Sequence, residues 1–172
     1  EAGCRAALVS DASVLPKDTP ALIVDDTLDA MVRLGMAGRA RSKAKIIAIT
    51  GSVGKTGTKE ALKYVLGEQA KTHASPASFN NHWGVPLSLA TLPVDAQYGV
   101  FEIGMNHPGE ISPLVQMVKP EVALITTVVG AHTEFFKDEA EIAKAKSEIF
   151  DGLNTDGAAI LNRDNIHYFA LA

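Results

Sequence analysis

Residues 46–56 read Ile46-Ile47-Ala48-Ile49-Thr50-Gly51-Ser52-Val53-Gly54-Lys55-Thr56. The first four residues are apolar and three of them are isoleucine, which predicts a short β-strand buried on both faces. Gly51 and Gly54 allow a tight loop whose backbone N–H groups can point at an anion. Lys55 adds a positive charge for the outer phosphates of a nucleotide, and the Thr56 hydroxyl suits Mg²⁺. The segment therefore predicts a strand, a phosphate-binding loop and a helix over residues 56–66, whose N-terminal end faces the same anion.

The loop does not meet the strict pattern G-x-x-x-x-G-K-[ST], because Ile49 occupies the position of its first glycine. The shorter pattern T-G-S-x-G-K-T stands in its place. The alternative is an ordinary glycine-containing turn between a strand and a helix, with a lysine that faces solvent. Because strand, glycines, Lys-Thr and helix follow one another in the required order, we favour a site for nucleotide phosphates.

Composition limits the classes of function. The 172 residues suffice for one good core, or for one domain and part of another. The hydrophobic share of 47% is typical of a soluble globular protein, and no apolar run approaches a membrane span. The net charge of −4, without a basic run, argues against nucleic acid as the main partner. The single cysteine, Cys4, fits a reducing cytoplasm, where we expect the protein to work. The sequence shows no signal pattern and no initiator Met, and we expect it to be a piece of a longer chain.

Apolar strands alternate with amphipathic helices, which predicts an α/β fold with a mainly parallel sheet covered by helices on both faces. Strands are predicted at 6–10, 21–24, 46–49, 98–103, 122–129 and 158–161, the first two as buried strands. Helices are predicted at 27–41 with Thr27 as the N-cap, at 56–66, 85–92, 108–118 and 138–150, and from Asn165 onward. Residues 74–81 are rich in Ser, Pro and Asn and are predicted to form a loop. We interpret the basic residues Arg39, Arg41, Lys43 and Lys45 as a solvated boundary between elements, and we place a domain boundary near Ser42.

Polar residues follow several predicted strands, and ligands of open α/β sheets bind beyond the carboxyl ends of the strands. Glu102 lies near the end of the strand at 98–103, where a carboxylate is costly unless a cation or several donors meet it. Since Mg²⁺ takes oxygen ligands, we predict that Glu102 binds it; the alternative is an ion pair with a buried basic residue. His132 follows the strand at 122–129, but magnesium seldom binds imidazole, so a metal ligand and a loop residue are equally open. Asn162 and Asp164 follow the last strand.

Lys146 lies on the predicted helix at 138–150. The apolar face of that helix contains Ile142, Ala145, Ile149 and Phe150, and Lys146 points the same way. A lysine directed inward has a depressed pKa and can be neutral, which its reaction with CO₂ to form a carbamate requires. Alternatively, the aliphatic part of the Lys146 side chain lies along the apolar face and its ammonium reaches solvent. Helical geometry alone favours this second arrangement.

Five segments together resemble the Mur ligases of peptidoglycan synthesis. They are Thr50-Gly51-Ser52-Val53-Gly54-Lys55-Thr56, Phe79-Asn80-Asn81-His82-Trp83-Gly84-Val85-Pro86, Glu102-Ile103-Gly104-Met105-Asn106-His107-Pro108-Gly109-Glu110-Ile111, Ala131-His132-Thr133-Glu134 and Ala143-Lys144-Ala145-Lys146-Ser147-Glu148-Ile149-Phe150. The resemblance covers nearly the whole chain. It is specific, because the second and third segments are hard to obtain by chance in this order and spacing.

The family has an N-terminal domain that holds a UDP-sugar, a central ATP-binding domain and a C-terminal domain that helps to bind the incoming amine. The resemblance implies that residues 1–42 end the first domain, that residues 43–172 begin a P-loop-type central domain, and that the C-terminal domain is absent from this sequence. It implies a monomeric ATP-dependent amide ligase that joins D-alanyl-D-alanine to UDP-N-acetylmuramoyl-tripeptide through an acyl phosphate. Two alternatives stay open: a Mur ligase for another amine, and, for this stretch alone, a nucleotide-binding module without turnover.

The resemblance also implies roles for individual residues. Lys55 and the rest of the loop from Thr50 to Thr56 would hold the β- and γ-phosphates of ATP, and Thr56 with Glu102 would bind a first Mg²⁺. His132 and a carbamylated Lys146 would serve a second metal site.

The resemblance implies further roles for residues in less specific motifs. Asn80 and Asn81 would face the γ-phosphate and the acceptor carboxylate, although Asn pairs in loops are usually turn formers. Asn162 and Asp164 would lie near the adenosine. Gly57 stands where members of the family more often carry Thr or Ser, so the usual extra hydroxyl of the loop is missing.

Overall fold

The computed structural model of the protein describes residues 5–130 and 135–172. The strands in these residues are β1 (Ala7–Val9), β2 (Ala21–Ile23), β3 (Lys45–Thr50), β4 (Thr72–Ala74), β5 (Tyr98–Glu102), β6 (Val122–Ile125) and β7 (Ala158–Leu161). The helices are α1 (Thr27–Arg41), α2 (Lys55–Gly67), α3 (Gly84–Ala90), α4 (Ile111–Val118), α5 (Glu139–Ser147) and α6 (Tyr168–Leu171). Short 3-10 turns lie at Ala12–Val14 and Glu148–Gly152.

Five parallel strands form the main sheet in the order β4-β5-β3-β6-β7, so the isoleucine-rich strand β3 lies at its centre. Ile46, Ala48 and Ile49 of this strand have no exposed surface. The chain adds β4 and β5 on one side of β3 and then crosses to the other side with β6 and β7. The predicted α/β fold with a parallel sheet flanked by helices is confirmed. The change of direction at β3 places a crevice at its carboxyl end, where sheets of this kind bind ligands.

Two elements of the sheet differ from the prediction. The prediction does not include strand β4. This edge strand has three residues and pairs only with β5, and such a segment is too short to show an alternating pattern. Strand β6 ends at Ile125 rather than at residue 129. The N–H of Thr126 still donates to the Thr50 carbonyl of β3 (2.9 Å), but its hydroxyl donates to the Val53 carbonyl (2.7 Å), and the Thr127 carbonyl accepts from the N–H of Ser52 (2.8 Å). The chain after Ile125 therefore contacts the loop after β3 instead of continuing the strand.

The starts of three helices also differ, and α6 begins at Tyr168 rather than at Asn165. Helix α1 is capped by Asp26 and not by Thr27, since the Asp26 carboxylate accepts hydrogen bonds from the N–H groups of Leu28 (2.7 Å) and Asp29 (2.9 Å). Helix α4 begins at Ile111 and not at residue 108. The Glu148 carboxylate, which lies beyond α5, accepts from the N–H groups at this helix start and fixes where it begins.

Strands β1 and β2 form a separate parallel pair, with Ala7 opposite Ala21. The prediction that both are buried is wrong: β1 is only half-buried, and the side chains of β2 are exposed. The domain boundary near Ser42 stays a prediction.

Helix α1 packs closely on α3 through Gly35 and Gly38. A Cβ atom on Gly38 would lie 2.2 Å from the carbonyl oxygen of Leu89, and one on Gly35 would lie 2.7 Å from that of Pro86. The two helix backbones can approach this closely only because both positions are glycine.

The interpretation of the basic cluster as a solvated boundary is wrong for Arg39, whose side chain is only 16% exposed, whereas Arg41 is exposed as predicted. Arg39 donates to the carbonyl oxygens of Val118 (2.8 Å) and Lys119 (3.0 Å), and so ties α1 to the end of α4. Arg41 donates to the carbonyl oxygens of Ala90 and Leu92. Lys43 and Lys45 are exposed, as predicted. In the described part of the chain, no helix combines the length and the apolar character that a membrane span requires.

Candidate active site

The loop between β3 and α2 has the backbone conformation of an anion-binding turn. Gly51 and Gly54 have positive φ angles of 148° and 91°. A Cβ atom on Gly51 would lie 1.9 Å from the Thr126 hydroxyl, so no other residue fits there. Gly54 is the N-cap of α2 and supplies no side chain to cap the helix. The first N–H groups of α2 are therefore left to an external anion.

The carboxyl end of β6 holds this loop in place. The N–H group of Ser52 donates to the carbonyl oxygen of Thr127 (2.8 Å), and the Ser52 hydroxyl donates to that of Val129 (2.9 Å). The ammonium of Lys55 donates to the carbonyl oxygen of Gly51 (2.7 Å), which folds the side chain over the loop. Burial lowers the pKa of Lys55, and the charge of Glu102 opposes that shift.

Glu102 ends β5, the neighbour of β3, and only 1% of its surface is exposed. One carboxylate oxygen accepts a hydrogen bond from the Thr56 hydroxyl (2.8 Å), and the other accepts from the Asn80 amide (2.7 Å). Both donors are neutral. Within residues 5–130 and 135–172 no basic side chain forms an ion pair with Glu102, so the alternative of a buried structural ion pair finds no partner there. A buried carboxylate that has no cationic partner among the described residues is a suitable oxygen ligand for a bound cation.

Lys146 of α5 points inward, with 3% of its surface exposed. The alternative in which its ammonium reaches solvent is wrong. Burial, together with repulsion from Lys55, lowers the pKa of Lys146 to about 8. No acceptor for its ammonium is found in the described parts of the chain. Lys144 is exposed on the other side of the helix, and the Glu148 carboxylate accepts from the N–H group of Gly109 near the start of α4.

The residues around the loop fit a magnesium–nucleotide complex better than a metal held by protein alone. The Thr50 hydroxyl, at the start of the loop, is buried and has no hydrogen-bond partner among the described residues. The described residues also contain no group of three or more His, Cys, Asp and Glu side chains that could enclose a metal. Mg²⁺ at phosphate sites is usually held by one or two carboxylates plus the phosphates themselves. One carboxylate beside a hydroxyl, at the mouth of an anion-binding turn, matches that donor set.

A cleft of about 790 Å³ opens beside the loop. Its polar end contains Lys55, Asn80 and Asn81, and its apolar end lies between α1 and α4. Asn80 contacts Glu102, as described above. The side-chain carbonyl of Asn81 instead accepts from the N–H groups of Trp83 (3.1 Å) and Gly84 (2.9 Å), so this oxygen forms the turn that starts α3.

The structure does not bring all predicted site residues together. Asn162 and Asp164 lie beyond the carboxyl end of β7, two strands from β3 at the same edge of the sheet. The Asn162 side chain accepts from the N–H group of Asp164 (3.0 Å), a local turn, and within the described residues neither is bonded to the 50–56 loop. His132 lies outside the described residues.

Sequence reasoning missed Lys59 of α2, whose side chain is fully buried next to this site. The signal that revealed Lys146 was present here too. Lys59 precedes Leu62 by three residues and Leu66 by seven, so it belongs to the inward stripe of α2.

Comparison with known proteins gives the family. The family described as "Mur ligase middle domain" matches residues 49–171. The UDP-N-acetylmuramoyl-tripeptide–D-alanyl-D-alanine ligase of Rickettsia prowazekii is 44% identical over 166 residues, which are 96% of this chain and 37% of that protein.

Solved structures of MurF ligases are similar to the chain. A crystal structure of MurF from Acinetobacter baumannii has a TM-score of 0.85 at 37% identity and covers 98% of this chain and 37% of its own. The MurF ligase of Thermotoga maritima, in complex with ADP, has a TM-score of 0.76 at 26% identity. The match covers 94% of this chain and 38% of the Thermotoga chain. The chain thus spans little more than a third of the length of these relatives. Because the family matches most of its residues, the chain belongs to the Mur ligase family, in the part that forms the middle domain.

Proposed function

We propose that the protein is an ATP-dependent amide ligase of peptidoglycan precursor synthesis, which joins D-alanyl-D-alanine to UDP-N-acetylmuramoyl-tripeptide. Residues 43–172 would form the first part of its ATP-binding domain, and residues 1–42 the end of a UDP-sugar-binding domain. The name of the relative from Rickettsia prowazekii supports this choice of substrates. The observation that carries the proposal is the contact of the buried Glu102 carboxylate with the Thr56 hydroxyl at the anion-binding turn.

ATP is the proposed nucleotide, with its β- and γ-phosphates on the loop from Thr50 to Thr56. The relative from Thermotoga maritima was solved in complex with ADP, which supports this part of the proposal. The open N–H groups at the start of α2 and the Lys55 ammonium supply the positive potential that phosphates need. Asn162 and Asp164, at the same edge of the sheet, are proposed to lie near the adenosine.

Thr56 and Glu102 are the proposed ligands of a first Mg²⁺, and Lys146 as a carbamate, with His132, would serve a second. Bound Mg²⁺ would neutralise phosphate charge and make the γ-phosphorus more open to attack. The chain prepares Lys146 for this role by burying it. With a pKa of about 8, about a fifth of the amine is neutral near pH 7.4, against about one in a thousand for an ordinary lysine.

The carbamate forms when the neutral Lys146 nitrogen attacks the carbon of CO₂. A nitrogen–carbon bond forms, one carbon–oxygen π pair moves onto oxygen, and the nitrogen loses a proton. The product carries a negative charge on oxygen and can bind a cation, which the ammonium cannot. This step would convert a buried cation beside Lys55 into an anion that attracts it.

The proposed reaction follows from the chemistry of carboxylates, which are poor electrophiles. A carboxylate oxygen of the tripeptide attacks the γ-phosphorus, a new phosphorus–oxygen bond forms, and ADP leaves. The amine of D-alanyl-D-alanine then attacks the carbonyl carbon of the acyl phosphate and loses a proton, and phosphate leaves as the amide forms. Both partners in the first step are anions, so Lys55 and the α2 N-terminus contribute mainly by compensating charge. Asn80 and Asn81, at the polar end of the cleft, are proposed to face the acceptor carboxylate.

The experiment is substrate-dependent phosphate release by the full-length protein and its Lys55→Ala variant. We expect the variant to lose roughly a hundred-fold or more of the rate, because it lacks the cation at the phosphates. Lys63→Ala is the matched control: Lys63 lies on the same helix with its side chain 53% exposed, and this variant should keep the rate. Near-normal turnover of Lys55→Ala would refute the assigned role.

We also propose that the protein works as a monomer in the cytoplasm, without insertion into a membrane and without a nucleic acid partner. The acidic net charge and the nucleotide-linked substrate support this view.

A further inference from the structure

Lys59 lies on α2, one turn after Lys55, and none of its surface is exposed. Its ammonium donates to the carbonyl oxygen of Ser75 (2.9 Å) and to that of Ala77, and it forms an ion pair with Glu60 (3.0 Å). An ammonium has three N–H donors, and here all three have an acceptor. A buried lysine is costly and is rarely retained without specific partners. Two of its three partners are backbone groups of one loop.

The ion pair between Lys59 and Glu60 does not explain why Lys59 is buried. The Glu60 side chain is 52% exposed. An ion pair with an exposed partner contributes little to stability, and it could form equally well with the lysine at the surface. The Ser75 carbonyl oxygen, in contrast, belongs to a buried residue, and its hydrogen bond with the ammonium is itself buried. The contact with the loop is therefore the feature that requires Lys59 to be buried.

The loop that Lys59 holds leads directly to Glu102. The Ser75 hydroxyl accepts from the N–H group of Glu102 (3.1 Å), and Asn80 donates to the Glu102 carboxylate (2.7 Å). The carbonyl oxygen of Asn80 accepts from the N–H group of Gly104 (2.7 Å), just beyond Glu102. The loop from Ser75 to Asn80 thus contacts the backbone of Glu102, its side chain and the residues that follow it.

The same loop contains a strained residue. Ala77 has a φ angle of +43°, in the left-handed region that alanine disfavours. The Ala77 carbonyl oxygen is one of the two that Lys59 binds. A strained conformation persists only where its surroundings enforce it, and the Lys59 ammonium does so here.

We propose that Lys59 is a positioning residue, which fixes the 75–80 loop on α2 so that Asn80 aims the Glu102 carboxylate at Thr56. All three donors of the Lys59 ammonium are used by protein groups, which leaves none for a nucleotide or an acceptor. Because Lys55, Thr56 and Lys59 share one helix, α2 connects the phosphate-binding turn to the loop that supports Glu102. The proposal rests on the proposed function for its effect on catalysis, but not for its effect on the loop.

The test replaces Lys59 with methionine, which is similar in length and apolar, in the full-length protein. We expect Lys59→Met to lower kcat roughly ten- to hundred-fold, because a displaced carboxylate costs that much in well-ordered sites. The Kd for ATP, measured by calorimetry without Mg²⁺, should change little, since the loop from Gly51 to Thr56 keeps its contacts with Thr127 and Val129. Lys63→Met on the same helix is the control and should leave both quantities unchanged.

Amide hydrogen exchange gives a readout that needs no turnover. Exchange at Glu102 and Gly104 should be faster in Lys59→Met and unchanged in Lys63→Met, because the hydrogen bonds of both amides depend on the 75–80 loop. Glu60→Gln, which removes only the ion pair, should behave as the wild type does in both assays. Lys59→Gln, which keeps one donor group, should show an intermediate loss of kcat.

The results separate the two proposals. Absence of ligation by the wild type would overturn the proposed function alone, since the exchange assay would still test the loop. Wild-type kcat or wild-type exchange in Lys59→Met would overturn the role of Lys59. Failure of both Lys59→Met and Lys59→Gln to fold would also overturn it, by assigning Lys59 to stability alone.

Discussion

At the scale of single residues, the buried charge of Lys146 makes the stability of the protein depend on pH. Its pKa is about 8 in the folded protein against an ordinary value of 10.5, because burial disfavours the ammonium. Between these two pH values the unfolded chain binds more protons, so the free energy of unfolding rises with pH across that window. Below pH 8 the buried ammonium costs on the order of 3 kcal/mol.

We therefore expect Lys146→Met to be more stable than the wild type at pH 7, with an advantage that shrinks as the pH rises from 8 toward 10.5. Denaturant unfolding in CO₂-free buffer at several pH values measures this difference. Lys144→Met, on the exposed side of the same helix, should track the wild type throughout. An advantage of Lys146→Met that stays constant over the whole range would contradict the account.

Some of the site residues could be predicted from the sequence, and others could not. Glu102 can be predicted as a site residue because a carboxylate in an apolar strand is costly. Lys146 can be predicted as one because it lies on the apolar face of its helix. The same rule would have selected Lys59. Its partners, however, are backbone carbonyl groups of a distant loop, and these carry no mark in the sequence. The turn-forming role of the Asn81 carbonyl, in contrast, is one that its residue type indicates.

At the scale of helices and strands, the contact between α1 and α3 depends on glycine. In an ordinary helix Gly→Ala is stabilising by about 1 kcal/mol. At Gly38 we expect Gly→Ala to be destabilising by about 2 kcal/mol or more instead, because a Cβ atom would lie 2.2 Å from the Leu89 carbonyl oxygen and would push the helices apart.

The matched substitution is Gly57→Ala on α2, where no atom lies within 4 Å of the added Cβ. This variant should be as stable as the wild type or more so. Thermal or denaturant unfolding of the two variants beside the wild type gives the comparison. A Gly38→Ala variant that is as stable as Gly57→Ala would show that α1 and α3 are not in close contact.

Element boundaries were harder to predict than the elements themselves, for physical reasons visible in β6 and α4. Residues 126–129 are Thr-Thr-Val-Val, a run with strong strand propensity, yet their hydroxyl and carbonyl groups bond to the phosphate loop and the strand ends at Ile125. Pro108 favours a first helical turn, yet the carboxylate of Glu148 sets the start of α4 three residues later. In both cases a contact distant in sequence outweighs a local preference.

At the scale of the whole molecule, the alternation of strands and helices was enough to predict the parallel sheet. Parallel connection brings all carboxyl ends to one edge, which is why Glu102 and the phosphate loop meet there. The alternation could not predict the strand order, which places β3 between β5 and β6, nor the packing of α1 against α3. The packing of α1 against α3 depends on contacts distant in sequence, such as the carbonyl groups of Ala90 and Leu92 that Arg41 binds.

The central claim is that this edge of the sheet lets a carboxylate attack the γ-phosphate of ATP. It is tested most directly with UDP-N-acetylmuramoyl-tripeptide whose terminal carboxylate carries ¹⁸O, incubated with ATP, D-alanyl-D-alanine and the full-length protein. The account predicts that each phosphate released carries one ¹⁸O atom from the carboxylate, because the attacking oxygen stays with phosphorus when the amide forms. Amide formation or ATP hydrolysis that yields phosphate without the label would contradict it.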